Sequence, residues 1–223
     1  MSGAEGPTKA SCPYSRNQGI PRTVVLVSGG VDSTVLLYQL AERARAGKLL
    51  VYPLFIDYAQ RATELEYEAV YWHCRRVQLQ PRRLDLSRVG EAFGRARATG
   101  PHIPLPHRNL VALSLALSYV GVVGAKSVAL GVIRDDVGGY PSASLPFLDA
   151  FGELAQILGT DFETPFVHSD KASVIAEGHR LGVDFGQTYS CMLGRRIHCG
   201  HCTQCLRRDS AFRQISFGRR VTS

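Results

Sequence analysis

Four side chains able to bind an anion or a cation fall within one short stretch, Ser28-Gly29-Gly30-Val31-Asp32-Ser33-Thr34, directly after the apolar run 24–27. A continuous β-branched run is what a strand covered on both faces requires. Gly29 and Gly30 lack Cβ atoms, so the chain can turn sharply there and a ligand can approach the backbone. From about Asp32 the apolar spacing becomes helical. A helix beginning behind a glycine turn offers free N–H groups and the positive end of a dipole, which suits phosphate. Ser28, Ser33 and Thr34 add hydroxyl donors, and Asp32 places a carboxylate where a nucleotide's Mg²⁺ could be held. No lysine follows the glycines, so this is not the GxxxxGK[ST] phosphate loop.

A second chemical cluster lies near the other end. Of six cysteines, Cys12 and Cys74 are isolated, while Cys191, Cys199, Cys202 and Cys205 follow the pattern C-x₇-C-x₂-C-x₂-C. In an intracellular chain such crowding argues for a metal and against disulfides. Four thiolates close a tetrahedral zinc site with no open position, a staple without chemistry of its own. An iron–sulfur cluster takes the same ligands and is the alternative. His198 and His201 lie beside the cysteines, but four thiolates already suffice.

The elements needed to position these groups are legible as an alternation. Strands are expected at 22–27, 49–56, 82–86, 127–132 and 160–166. Helices are expected at 31–46, 63–77, 87–98, 109–124, 146–158, 169–181 and 206–213. Three prolines within 101–106 exclude a helix there, and 135–144 reads as a Gly/Ser loop. This predicts an α/β fold, a parallel five-stranded sheet with helices on both faces. Residues 1–20 would be a tail, 21–185 the nucleotide-binding domain, and 186–223 a zinc-stapled C-terminal appendage. Ligands of open α/β sheets sit at the strands' carboxyl ends. That brings Asp57 after the second strand, and Gly131 at the fourth, to the nucleotide site; Gln60 and Arg61 are weaker candidates, since a helix entry often has polar residues for capping alone.

The chain has 223 residues and a net charge of +7, part of it in Arg195, Arg196, Arg207, Arg208, Arg213, Arg219 and Arg220. With no RNA-binding signature visible, the charge is read as a solvated face around an anionic small-molecule site and not as a nucleic-acid surface. No apolar run reaches the ~20 residues of a membrane helix, and no signal segment is visible, so a cytoplasmic location is expected.

The Ser28–Ser33 loop resembles the SGGxDS loop of the PP-loop ATP pyrophosphatases. The chain as a whole resembles one branch of them, the 7-cyano-7-deazaguanine synthase family of queuosine-precursor biosynthesis. The matches are Ser28 to Thr34, Asp57-Tyr58-Ala59-Gln60-Arg61, Arg108-Asn109-Leu110, Gly139-Tyr140-Pro141, Thr164-Pro165 with Ser169-Asp170-Lys171, and Ser190-Cys191 through Cys199 to Arg207. The resemblance implies an adenine nucleotide alpha-hydrolase-like fold and an ATP-dependent carbon–nitrogen ligase. Such enzymes adenylate a deazaguanine carboxylate, form the amide with ammonia, and dehydrate it to the nitrile with a second ATP. ATP, Mg²⁺ and structural Zn²⁺ are the implied cofactors, and a homodimer the implied assembly. In that scheme Asp32 stands near the metal and Lys171 neutralises the pyrophosphate that leaves. Arg108 would clamp a phosphate or carboxylate, with a structural salt bridge as the competing reading.

The chain departs from the family where the substrate would sit. The family's Gly-Tyr-Pro-Asp-Cys-Arg is Gly139-Tyr140-Pro141-Ser142-Ala143-Ser144 here, so an acid and an arginine are missing. Asp135 or Asp136 could supply a replacement carboxylate. Val137 stands where tyrosine or serine is common, and Ala59 and His107 stand where glycine is usual. Two other readings therefore accompany the synthase: a divergent enzyme joining the adenylated carboxylate to another amine, of a protein or nucleotide, in a specialised or defence pathway, and a non-catalytic nucleotide-binding protein.

Overall fold

The computed structural model describes residues 19–94 and 105–221, with side chains at 19–93 and 105–215. Most of the expected tail, the prolines before 105 and the end of the 87–98 helix lie outside the described residues.

Five parallel strands form one sheet in the order β3-β2-β1-β4-β5. They are β1 (Arg22–Leu26), β2 (Leu50–Asp57), β3 (Arg82–Asp85), β4 (Ser127–Ala129) and β5 (Asp161–Glu163). The helices are α1 (Val31–Arg45), α2 (Thr63–Arg76), α3 (Ser87–Gly94), α4 (Arg108–Val123), α5 (Arg134–Val137), α6 (Leu145–Ile157), α7 (Lys171–Arg180) and α8 (Thr203–Val221). The period-2 alternation of a strand sends β1 into two cores. Val25 and Val27 join one core with α1, α2, α7 and α8. Val24 and Leu26 join the other with Leu113, Ala116 and Val120 of α4 and Phe151 and Ala155 of α6. Each buried Val, Leu or Phe side chain among them contributes about 1.5–3 kcal/mol.

Because β1 lies between β2 and β4, the strand order reverses at its carboxyl end, and a crevice opens there between α1 and α4.

Four elements differ from the sequence reading. β4 stops at Ala129 instead of residue 132, because Gly131 runs against the start of α1: a Cβ there would lie 3.1 Å from the Ser33 Cα and N. β5 is confined to Asp161–Glu163, since the chain after it turns back through the bonds Val167 N–H to Thr164 O and Ser169 N–H to Phe166 O. The expected 135–144 loop contains α5 and a 3₁₀ turn at Pro141–Ala143, with Ile133 N–H donating to the Asp136 carboxylate. The last helix begins at Thr203, so Cys205 sits within its first turn.

Candidate active site and metal centre

The crevice is a cavity of about 270 Å³, near the lower end of the ~300–1,000 Å³ usual for small-molecule sites. Its floor is the Ser28–Ser33 turn. The Ser33 hydroxyl accepts from Ser28 N–H at 3.1 Å and meets the Ser28 hydroxyl at 3.0 Å. Gly30 caps α1 with extended backbone, and no side chain caps the helix. The first N–H groups of α1 therefore meet no capping oxygen and face an incoming anion.

Asp32 and Lys171 meet over this turn, from α1 and the start of α7. Lys171 Nζ donates to Asp32 Oδ2 at 2.7 Å, with both side chains largely buried. Asp32 Oδ1 is buried without a hydrogen-bond partner. Burial pushes the Asp32 carboxyl above the usual range, against the pull of the Lys171 ammonium. A carboxylate kept dry and half-satisfied costs several kcal/mol unless a cation completes it, so this donor set fits a divalent metal.

Ser28, Gly30, Val31, Asp32, Ser33, Gln60, Arg108, Gly131 and Lys171 all line the cavity. Three other expected nucleotide-binding residues do not. Gly29 takes φ +73° beside the Glu66 carbonyl, and its own carbonyl accepts from Tyr189 N–H at 2.8 Å. Thr34 is buried inside α1. Asp57 is committed elsewhere: Arg83 donates to its Oδ2 through two nitrogens, at 2.6 and 3.2 Å, and Ala59 N–H and the Thr63 hydroxyl donate to its Oδ1 at 3.0 and 3.4 Å. Arg108 lies 5.5 Å above the Tyr140 ring, and no salt bridge among the described residues holds it.

Several wall residues have no role in the sequence reading, though Tyr58, Asn109, Ser190 and Gln204 stand in its matched motifs. Tyr58 and Glu66 follow β2, and Asn109 reaches from α4 to donate to the Ser142 carbonyl at 2.9 Å. Tyr189, Ser190, Met192 and Gln204 come from the cysteine region. Of the two aspartates considered as replacement acids, Asp135 is exposed and off the cavity. Asp136 lines it but accepts from Arg207 at 3.4 Å and from the Ile133 N–H.

The four cysteines converge. Their Sγ atoms all lie within 4.8 Å of one another, with the Cys199 and Cys205 sulfurs 3.8 Å apart. Four sulfurs at ~2.3 Å from one tetrahedral ion lie about 3.8 Å apart, so the site is compatible with a metal such as zinc. Neither histidine joins: His198 Nε2 accepts from Ser190 N–H at 3.1 Å, and His201 Nδ1 lies 2.8 Å from the Cys199 carbonyl. Arg208 anchors α8 by donating to the Thr188 hydroxyl and the Phe185 carbonyl, both at 2.6 Å.

Comparison with known proteins supplies the family. The model of the family described as "Queuosine biosynthesis protein QueC" matches residues 22–216. The chain belongs to the QueC family. It is 34% identical to the 7-cyano-7-deazaguanine synthase of Nitrosococcus oceani, over 86% of this chain and 93% of that one. It is 30% identical to 7-cyano-7-deazaguanine synthase 1 of Sulfurisphaera tokodaii, over 87% and 94%. Two solved structures share the fold at low identity. One is an NH3-dependent NAD synthetase from Campylobacter jejuni (TM-score 0.52, 19% identity, 78% of this chain and 69% of that one). The other is the U34-tRNA thiolase NcsA from Methanococcus maripaludis with its 4Fe–4S cluster (TM-score 0.57, 13% identity, 91% and 67%). Among the described residues of this QueC-family chain, no helix is long and apolar enough to cross a membrane.

Proposed function

We propose that the chain is an ATP-dependent ligase that converts the carboxylate of a 7-deazaguanine-type substrate, with ammonia, to the amide and then the nitrile. The observation that carries this reading is the buried Asp32 carboxylate, with Oδ2 on Lys171 and Oδ1 unpartnered, at the mouth of an uncapped helix. Triphosphate binds the N–H groups of Val31, Asp32 and Ser33 and the hydroxyls of Ser28 and Ser33. Mg²⁺, held by Asp32, supplies neutralising charge on the phosphates. A substrate carboxylate oxygen attacks the α-phosphorus; the bond to the β-phosphate oxygen breaks, and pyrophosphate leaves against Lys171. Ammonia then attacks the acyl carbon and displaces AMP. A second ATP activates the amide oxygen, and loss of AMP with two protons leaves the nitrile. Arg108 holds an anionic oxygen of the substrate or the α-phosphate.

The metal at the four cysteines is zinc in this reading. The sulfur spacing supports one ion over a 4Fe–4S cluster, in which each thiolate sits on a different iron and the sulfurs stand further apart. The enzyme works in the cytoplasm as a homodimer. A second reading, transfer of the adenylated carboxylate to a larger amine, is favoured by one observation: Ser142, Ala143 and Ser144 replace the family's Asp-Cys-Arg.

Mass spectrometry after incubation with ATP, Mg²⁺, ammonia and 7-carboxy-7-deazaguanine decides between them. The expected product is the nitrile with the amide before it. Pyrophosphate release without either product points to another amine, and no pyrophosphate release overturns the ligase reading.

A further inference from the structure

Glu66 sits on α2 with its side chain on the cavity wall. Its position is fixed through Gln60. The Gln60 Oε1 accepts from Tyr58 N–H at 2.9 Å, which turns the amide so that Nε2 donates to Glu66 Oε2 at 2.9 Å. That single neutral donor is a poor match for a carboxylate, which can accept about four hydrogen bonds. Burial pushes the Glu66 carboxyl above its usual range, in spite of Gln60 and the more distant Arg108. No salt bridge among the described residues reaches it.

The other carboxylates that line this cavity have cationic partners. Asp32 has Lys171, and Asp136 has Arg207 and the Ile133 N–H. The 139–144 loop offers no acid, and Ser144 is used to cap α6 by accepting from Phe147 N–H at 3.4 Å. Glu66 is thus the cavity carboxylate with spare acceptors and no cation.

We infer that Glu66 is the specificity-determining residue for the heterocycle: its carboxylate receives the two adjacent N–H donors on the pyrimidine edge of a guanine-type ring, the ring N–H and the exocyclic amine. This rests on the deazaguanine reading above. The chemistry selects that edge. A carboxylate with two free lone-pair directions fits two neighbouring donors. An adenine-type edge sets one donor beside a ring-nitrogen acceptor, which the carboxylate repels. Sites built around such polar partners reject analogues lacking them by ~10⁴-fold.

The test uses the full chain with ATP and Mg²⁺, reading pyrophosphate release with two substrates: 7-carboxy-7-deazaguanine and its analogue lacking the exocyclic amine. Glu66→Gln lowers kcat/KM for the parent by at least ~10²-fold, changes that for the analogue less than ~3-fold, and leaves KM for ATP within ~3-fold. Glu66→Asp keeps the charge but shortens the reach, and shows the same split where Glu66→Gln does not fold. A raised KM for ATP alone, or an equal fall for both substrates, overturns the inference. If wild-type protein releases no pyrophosphate with either substrate, the ligase reading fails instead. Calorimetric binding of the two heterocycles to wild type and Glu66→Gln then decides the role of Glu66: loss of discrimination supports it, and unchanged discrimination overturns it.

Discussion

The side chain that matters most is one that is half-satisfied. Asp32 Oδ2 is held by Lys171 at 2.7 Å while Oδ1 has no partner. Asp32→Asn keeps the shape and removes the charge. Pyrophosphate release should fall by about 10³-fold or more, since a divalent metal on the phosphates supplies several kcal/mol of transition-state stabilisation, while the far-ultraviolet circular dichroism spectrum stays unchanged. Full activity in that variant would rule out the metal role. Lys171→Met strands a buried carboxylate and should cost about 3–5 kcal/mol of stability by urea titration. A second buried group is not part of the cavity lining. His73 is fully buried, its Nδ1 3.1 Å from the Tyr38 hydroxyl, and burial pulls its pKa down to about 4. The folded state therefore favours the neutral ring, whereas the unfolded chain takes up a proton near pH 6.5. Stability is full above that value and drains away as pH falls toward 4, by ~3 kcal/mol over the interval. His73→Phe should flatten that part of the stability profile.

Backbone geometry bears on two positions singled out in the sequence. Ala59 and His107 occupy positions where the resemblance leads one to expect glycine, and both adopt left-handed backbone, at φ +59° and +51°. Each β-carbon costs about 1 kcal/mol in that region. His107→Gly and Ala59→Gly should each raise Tm by roughly 2–4 °C in calorimetry, and a fall would show that the side chain contributes more than the strain removes. At Gly29, by contrast, alanine meets the Glu66 carbonyl, so Gly29→Ala should destabilise and weaken ATP binding together. The nucleotide turn and the longer helices, apart from α5 and the bounds of α8, are legible in the sequence because glycine pairs, capping residues and apolar spacing are local signals. β4 and β5 were overread because their ends are set by what the chain meets in space: Gly131 against α1, and the turn back after Glu163. Glu66 was hidden for a related reason. Glu64, Glu66 and Glu68 alternate with no local distinction, yet Glu64 pairs with Arg83 in solvent, Glu68 is exposed, and only Glu66 is turned onto the cavity.

At the scale of the molecule, the cysteine region is joined to the crevice. Gly194 is pressed against the Arg61 carbonyl, Arg207 reaches Asp136, and Met192 and Gln204 stand in the cavity wall. Cys202→Ser should therefore release metal, lower Tm by roughly 5 °C or more, and weaken ATP and substrate binding as well. Metal analysis, calorimetry and KM measured on one preparation check this; an unchanged Tm would contradict a stapling role. Cys199 and Cys202 are only partly buried, which leaves the site open to chelators.

The wall of the crevice is drawn from distant parts of the polypeptide, with Ser28 and Gly30 near one limit and Gln204 near the other. During translation the glycine turn leaves the ribosome long before Cys205 does. Any nascent or truncated product stopping short of that cysteine lacks the fourth thiol of the cluster beside which Met192 and Gln204 enter the wall. Completion of the crevice wall and of the thiol cluster therefore waits on the last stretch of the chain to be made.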